Sequence, residues 1–163
     1  MTNAPAPLLV IGWGNPSRGD DALGPMLVER LLDHAQAVGA SGRLEGLTDF
    51  QLQVEHALDL VGRERVLFVD AATDLPGAFA VRPLHAARGG GIGSHALAPE
   101  AVLQVYQDLH QRPPPPSTLL AIGARAFELG EPPGAEALVH LELALQWAGA
   151  WMEARTPMEE VIA

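Results

Sequence analysis

Residues 8–25 read LLVIGWGNPSRGDDALGP. Leu8 to Ile11 form an unbroken apolar run ending at Gly12, the pattern of a strand buried on both faces of a parallel sheet. Beyond the glycine-rich loop, Leu23, Leu27, Leu31 and Ala35 fall four residues apart, and Val28 and Leu32 widen the stripe into an amphipathic helix. Strand, loop and helix in this order make the opening unit of an α/β fold. The same reading extends along the chain: Val66 to Val69 form a strand ending at Asp70, and Leu119 to Ile122 one ending at Gly123. Arg43 to Leu47 form a weaker strand, and Ala78 to Leu84, which carries Pro83, belongs at a sheet edge. Helices are expected over Leu52 to Leu60, Pro99 to Leu109 with Pro99 in its first turn, and Ala135 to Ala154. Pro113 to Pro116 make a stiff connection. Strands alternating with helices predict a three-layer α/β/α sandwich with a mostly parallel sheet.

The 163 residues fit one domain, 1–163. Twenty acidic residues stand against ten basic ones, all arginine, so the net charge of −10 repels a phosphate backbone and excludes nucleic acid as a partner. The chain has no cysteine, which removes disulfides, zinc-thiolate sites and cysteine nucleophiles and leaves histidine and carboxylate as metal ligands. The N-terminal apolar stretch lacks a basic flank and falls far short of the roughly 20 residues that span a bilayer, so a cytoplasmic protein without membrane association is expected.

Gly12, Gly14 and Gly19 give G-x-G-x-x-x-x-G, which is not the dinucleotide fingerprint, and no P-loop lysine follows. Asp20 and Asp21 would moreover place negative charge where a helix N-terminus would hold phosphate. The pair reads equally as helix caps or as functional carboxylates. Asp49 follows the second strand and Asp70 ends the third apolar run; ligands of open α/β sheets sit beyond such strand ends. A carboxylate closing a buried strand is costly unless bonded or paired, which favours a functional Asp70 over a turn cap. Of six histidines, His34, His110 and His140 fall in helical segments, and His56 lies in a predicted helix on no distinct face. His95 differs, standing between the glycine-rich GGGIGS and a helix start. No G-x-S-x-G or H-E-x-x-H is present. What survives is a histidine and several carboxylates, a nitrogen-oxygen metal site if the fold gathers them.

These residues resemble the endopeptidases that mature nickel-iron hydrogenases. The family's strand, G-x-G-N, spacer, acidic pair and glycine are met by Ile11-Gly12-Trp13-Gly14-Asn15 and Asp20-Asp21-Ala22-Leu23-Gly24; its strand ending in aspartate by Leu67-Phe68-Val69-Asp70-Ala71; and its metal-ligating histidine by Ser94-His95-Ala96. Order, spacing and length agree across nearly the whole chain. The resemblance implies a twisted five-stranded sheet and a peptidase that removes the C-terminal extension of a nickel-loaded hydrogenase large-subunit precursor. Asp21, Asp70 and His95 would be its catalytic, metal-recognising residues, with the nickel supplied by the substrate and no permanently bound organic cofactor. Many relatives carry glutamate where this chain has Asp21. After the second strand the glycine-rich D-G-G-T of many relatives is replaced by Asp49-Phe50-Gln51-Leu52, a wording similar to the branch that serves soluble, NAD-linked bidirectional hydrogenases. Asn15, Asp20, Asp49 and Gln51 are implied as substrate-binding or orienting residues. A nickel-sensing module or chaperone that inspects the precursor without cutting it, and a small-molecule hydrolase or nucleotide-binding protein of the same architecture, remain as alternatives.

Overall fold

A computed structural model describes residues 4–88 and 97–154, and the backbone of 161 and 162. Its centre is one sheet in the order β2-β1-β3-β5-β4-β6. The strands are β1 (Leu8–Trp13), β2 (Leu44–Asp49), β3 (Arg65–Ala72), β4 (Phe79–Leu84), β5 (Ser117–Gly123) and the two-residue β6 (Val161–Ile162). β2, β1, β3 and β5 run parallel, and β4 is antiparallel to β5. The helices are α1 (Leu23–Ala37), the four-residue α2 (His56–Asp59), α3 (Pro99–His110) and α4 (Ala135–Glu153).

Strand alternation sorts the apolar residues into two cores. Leu8, Val10, Leu67, Val69, Leu120 and Ile122 face α1 and α4, whereas Leu9, Ile11, Val66 and Phe68 face α2 and α3. The continuous apolar runs arise because both faces of the central strands are covered. At the foot of the sheet, buried Arg65 donates to the Trp151 and Ala154 carbonyls at 2.7 and 2.6 Å, satisfying the end of α4.

The α/β/α sandwich and its five principal strands agree with the sequence reading, with three differences. β4 is not the edge, because β6 pairs with Ala80 and Val81; Pro83 lies outside that short pairing. The helix expected over Leu52 to Leu60 contracts to His56–Asp59, because the Gln53 N–H donates to His56 Nδ1 at 2.8 Å and holds the preceding residues in a turn. Neither aspartate of the opening loop caps α1: residues Gly19–Ala22 form a 3-10 turn, and α1 begins without a side-chain cap.

Candidate functional site

β1 lies between β2 and β3. The crossover from β1 to β2 runs through α1 on one face, and that from β2 to β3 through α2 on the other. Connections that part in this way open a crevice beyond the carboxyl ends of β1 and β3, where open α/β sheets bind ligands. Asp21, in the turn after β1, and Asp70, two residues before the end of β3, belong to this end of the sheet.

Asp21 is positioned by the glycines and asparagine before it. A Cβ on Gly14, whose φ is 140°, would overlap the Asp21 carbonyl oxygen, so only glycine admits this approach. A Cβ on Gly12 would likewise meet the Gly24 backbone, so Gly12 lets α1 start directly against the strand. The Asn15 N–H then donates to Asp21 Oδ2 at 2.7 Å, while Asn15 Oδ1 accepts from the Ser17 N–H at 2.9 Å. Asp21 Oδ1 accepts no hydrogen bond among the described residues.

Asp70 is half-buried in the middle layer. Desolvation dominates its ionisation, the Ala71 N–H opposes, and the negative charge of Asp21 adds to the desolvation; together they push the carboxyl from 3.8 up to about 7. Asp21 and Asp70 therefore sit close enough to sense each other's charge. His95 lies outside the described residues, and among the described residues no group of three or more histidines and carboxylates is placed to hold a metal.

Asp20 has a different environment from its neighbour. Only 3% exposed, it accepts the N–H groups of Arg125 and Ala126 on Oδ2 at 2.8 and 3.1 Å and that of Gly134 on Oδ1 at 2.8 Å. Desolvation works against its ionisation, but these bonds and the charge of His140 outweigh it and hold the group below the usual carboxylate value. Asp20 thus ties the loop between β5 and α4 to the loop after β1 and caps the start of α4 in place of α1.

Asp49 ends β2, and its backbone oxygen accepts the Gly14 N–H at 3.0 Å. Its Oδ1 accepts the Phe50 N–H at 2.7 Å, and its Oδ2 faces His56 Nε2 at 3.6 Å. Gln51 is exposed beside it. A cavity of about 350 Å³ opens here, lined by Gly14, Pro16, Met26, Thr48, Asp49 and Phe50 among others. A larger cleft of about 600 Å³ lies beyond β3 and β5, against Thr73, Asp74, Arg125, Glu136 and His140, and includes neither Asp21 nor Asp70.

No family model and no curated protein matches the chain; solved structures do. The nickel-iron hydrogenase maturation protease HycI from Thermococcus kodakarensis superposes with a TM-score of 0.70 at 18% identity, over 93% of this chain and 96% of that one. The hydrogenase maturating endopeptidase HybD from E. coli gives 0.67 at 18% identity, over 94% and 96%. An endopeptidase from Escherichia coli gives 0.66 at 20% identity, over 95% and 96%. The chain has the fold of the hydrogenase maturation proteases. At this identity the fold is what is shared.

His85 is exposed and His34 lies partly exposed, 3.9 Å from Glu153; three other histidines are held by packing. His140 Nδ1 lies 2.9 Å from the Gly123 oxygen, and His110 stacks on Tyr106 with ring centres 4.6 Å apart. His56, read from sequence as facing nothing in particular, is buried and contacts both ends of the loop from Asp49 to Gln53. Its spacing from Asp49 was visible in the sequence, but only a broken helix makes that spacing meaningful.

Proposed function

We propose that the chain is an endopeptidase of hydrogenase maturation, cutting the C-terminal extension from a nickel-loaded large-subunit precursor. What supports this reading is that the charge of Asp21 helps raise the Asp70 carboxyl to about 7 in a chain with the fold of the maturation proteases. A half-buried carboxyl pushed up to about 7, with a second carboxylate beside it, is poorly compensated alone and would be relieved by a cation. Two carboxylates and an imidazole, Asp21, Asp70 and His95, form a nitrogen-oxygen set suited to a borderline divalent metal. In this reading the metal is the substrate's own nickel, whose Lewis acidity favours hydrolysis of a peptide bond held nearby. The residues of this chain bind and orient it: Asp21 is held by Asn15, and Asp49 and Gln51 contact the precursor next to the crevice. The Asp49-Phe50-Gln51 loop favours a soluble, NAD-linked bidirectional hydrogenase as the source of the precursor, and the reaction would take place in the cytoplasm.

The test is incubation with nickel-loaded precursor and mass spectrometry of the released C-terminal peptide. Asp21→Ala, Asp70→Ala and His95→Ala should stay folded and release none. Full processing by all three variants would overturn the site. Binding of precursor by the wild type without any released peptide would instead make the protein an inspecting module.

A further inference from the structure

The loop from Asp49 to Gln53 is bracketed by one side chain. His56 is 7% exposed, and its two ring nitrogens face opposite ends of that loop. Nδ1 accepts the Gln53 N–H at 2.8 Å. An Nδ1 that accepts must be unprotonated, so the neutral ring carries its hydrogen on Nε2. Nε2 is the atom that faces Asp49 Oδ2, at 3.6 Å, longer than a hydrogen bond. Such contacts are commonly long before a partner binds and tighten in the complex. The ring is held further by its burial.

Asp49 is the joint between this bracket and the crevice. Its Oδ1 is occupied by the Phe50 N–H, which leaves Oδ2 to be set by His56. Its backbone oxygen holds Gly14, and the next N–H, that of Asn15, holds Asp21. Phe50, 66% exposed, projects from the bracketed loop beside the same cavity. An exposed aromatic ring on a loop whose ends are both fastened is presented to a partner at little entropic cost.

We propose that His56 is a positioning residue for precursor recognition: braced by Gln53, its Nε2–H sets the Asp49 carboxylate and thereby the loop that meets the substrate. This rests on the endopeptidase reading for its substrate, but the bracket itself is testable without one. Asparagine at position 56 places an acceptor near Nδ1 and leaves Asp49 unheld; glutamine places an amide near Nε2 and leaves Gln53 unheld. The two replacements therefore separate the two arms of the ring.

Nitrogen NMR of the labelled full chain at neutral pH should show His56 as the Nε2–H tautomer. An Nδ1–H tautomer overturns the proposal, since Gln53 would lose its acceptor and Nε2 would turn a lone pair to a carboxylate. In precursor processing, His56→Asn should raise KM roughly fivefold, about the worth of one hydrogen bond, with kcat within about twofold because His56 touches no reacting atom. His56→Gln should recover most of the KM even if it melts earlier. A KM unchanged in His56→Asn, or losses in both variants that merely follow their melting temperatures, would overturn it. Should the wild type cut no precursor, the endopeptidase reading fails, and the tautomer still decides whether the ring brackets the loop.

Discussion

Asp70→Asn isolates the cost of keeping an ionisable group in the middle of the sheet, since the amide preserves shape while removing the titration. The native carboxyl holds its proton up to about 7, whereas in the unfolded chain it is released near 3.8. Between those values the native state binds more protons than the unfolded one, so stability falls as pH rises through that window and levels off above it. The gap between 3.8 and about 7, at about 1.36 kcal/mol per pH unit, makes the full loss at most about 4 kcal/mol. That is a large share of a typical folding free energy of roughly 5–15 kcal/mol. Asp70→Asn has no such slope. Urea unfolding of both proteins at about pH 5 and about pH 8 should show the variant gaining on the wild type by some 2–3 kcal/mol across the interval. A stability difference that stays constant between the two pH values would refute the account, because it would mean that Asp70 ionises as readily in the fold as in water.

The other predictions concern the loop after β1 and the foot of the sheet. Asp20→Ala removes the acceptor of three N–H groups, on the exposed residues Arg125, Ala126 and Gly134, and should cost about 2 kcal/mol in urea unfolding at neutral pH. Because the Asp20 carboxyl is held below its usual value, its stabilisation is present above that value and lost as pH falls through the folded one, so the variant should also show a flatter acid limb. Gly14→Ala forces a Cβ into the Asp21 backbone at a φ of 140°; a loss of at least about 2 kcal/mol in thermal unfolding is expected, together with loss of precursor processing as Asp21 shifts. Arg65→Ala removes the donors to the Trp151 and Ala154 carbonyls and should cost about 2–3 kcal/mol in denaturant, with Arg65→Lys restoring only part because one ammonium cannot span both acceptors.

The sheet was legible because its central strands are buried on both faces. Leu8 to Ile11 and Val66 to Val69 leave no ambiguity of period, and α1 and α4 carry long apolar stripes. What escaped was set by contacts distant in sequence. The helix over Leu52 to Leu60 has a fair apolar pattern, yet a side chain competing for the Gln53 N–H shortens it, which local propensity does not reveal. Pro83 suggested an edge, and the true edge is a pairing of two residues from the far end of the chain. The raised carboxyl of Asp70 was readable from the physics of a carboxylate near the end of a buried strand. The separation of Asp20 from Asp21 was not, because the groups that claim Asp20 lie more than 100 positions away in Arg125, Ala126 and Gly134.

That separation is also what makes the loop work as a support for charge. A 3-10 turn advances about a third of a revolution per residue, so consecutive side chains in Gly19–Ala22 cannot share an environment. Asp20 is carried inward to three N–H groups and the start of α4, where a negative charge is favoured. Asp21 is carried toward the crevice, held through one oxygen by Asn15. Fixing Asp20 fixes the turn, and the turn fixes how near the Asp21 charge stands to Asp70. The repulsion that helps raise Asp70 to about 7 is therefore maintained by a carboxylate that takes no part in it. Loosening Asp20 should let Asp21 recede and lower Asp70 by the smaller share that the Asp21 charge supplies, with desolvation still holding it up, a coupling that carboxyl carbon NMR of Asp70 in Asp20→Asn would register directly; an Asp70 titration unmoved by that substitution would show that the turn holds Asp21 without its neighbour.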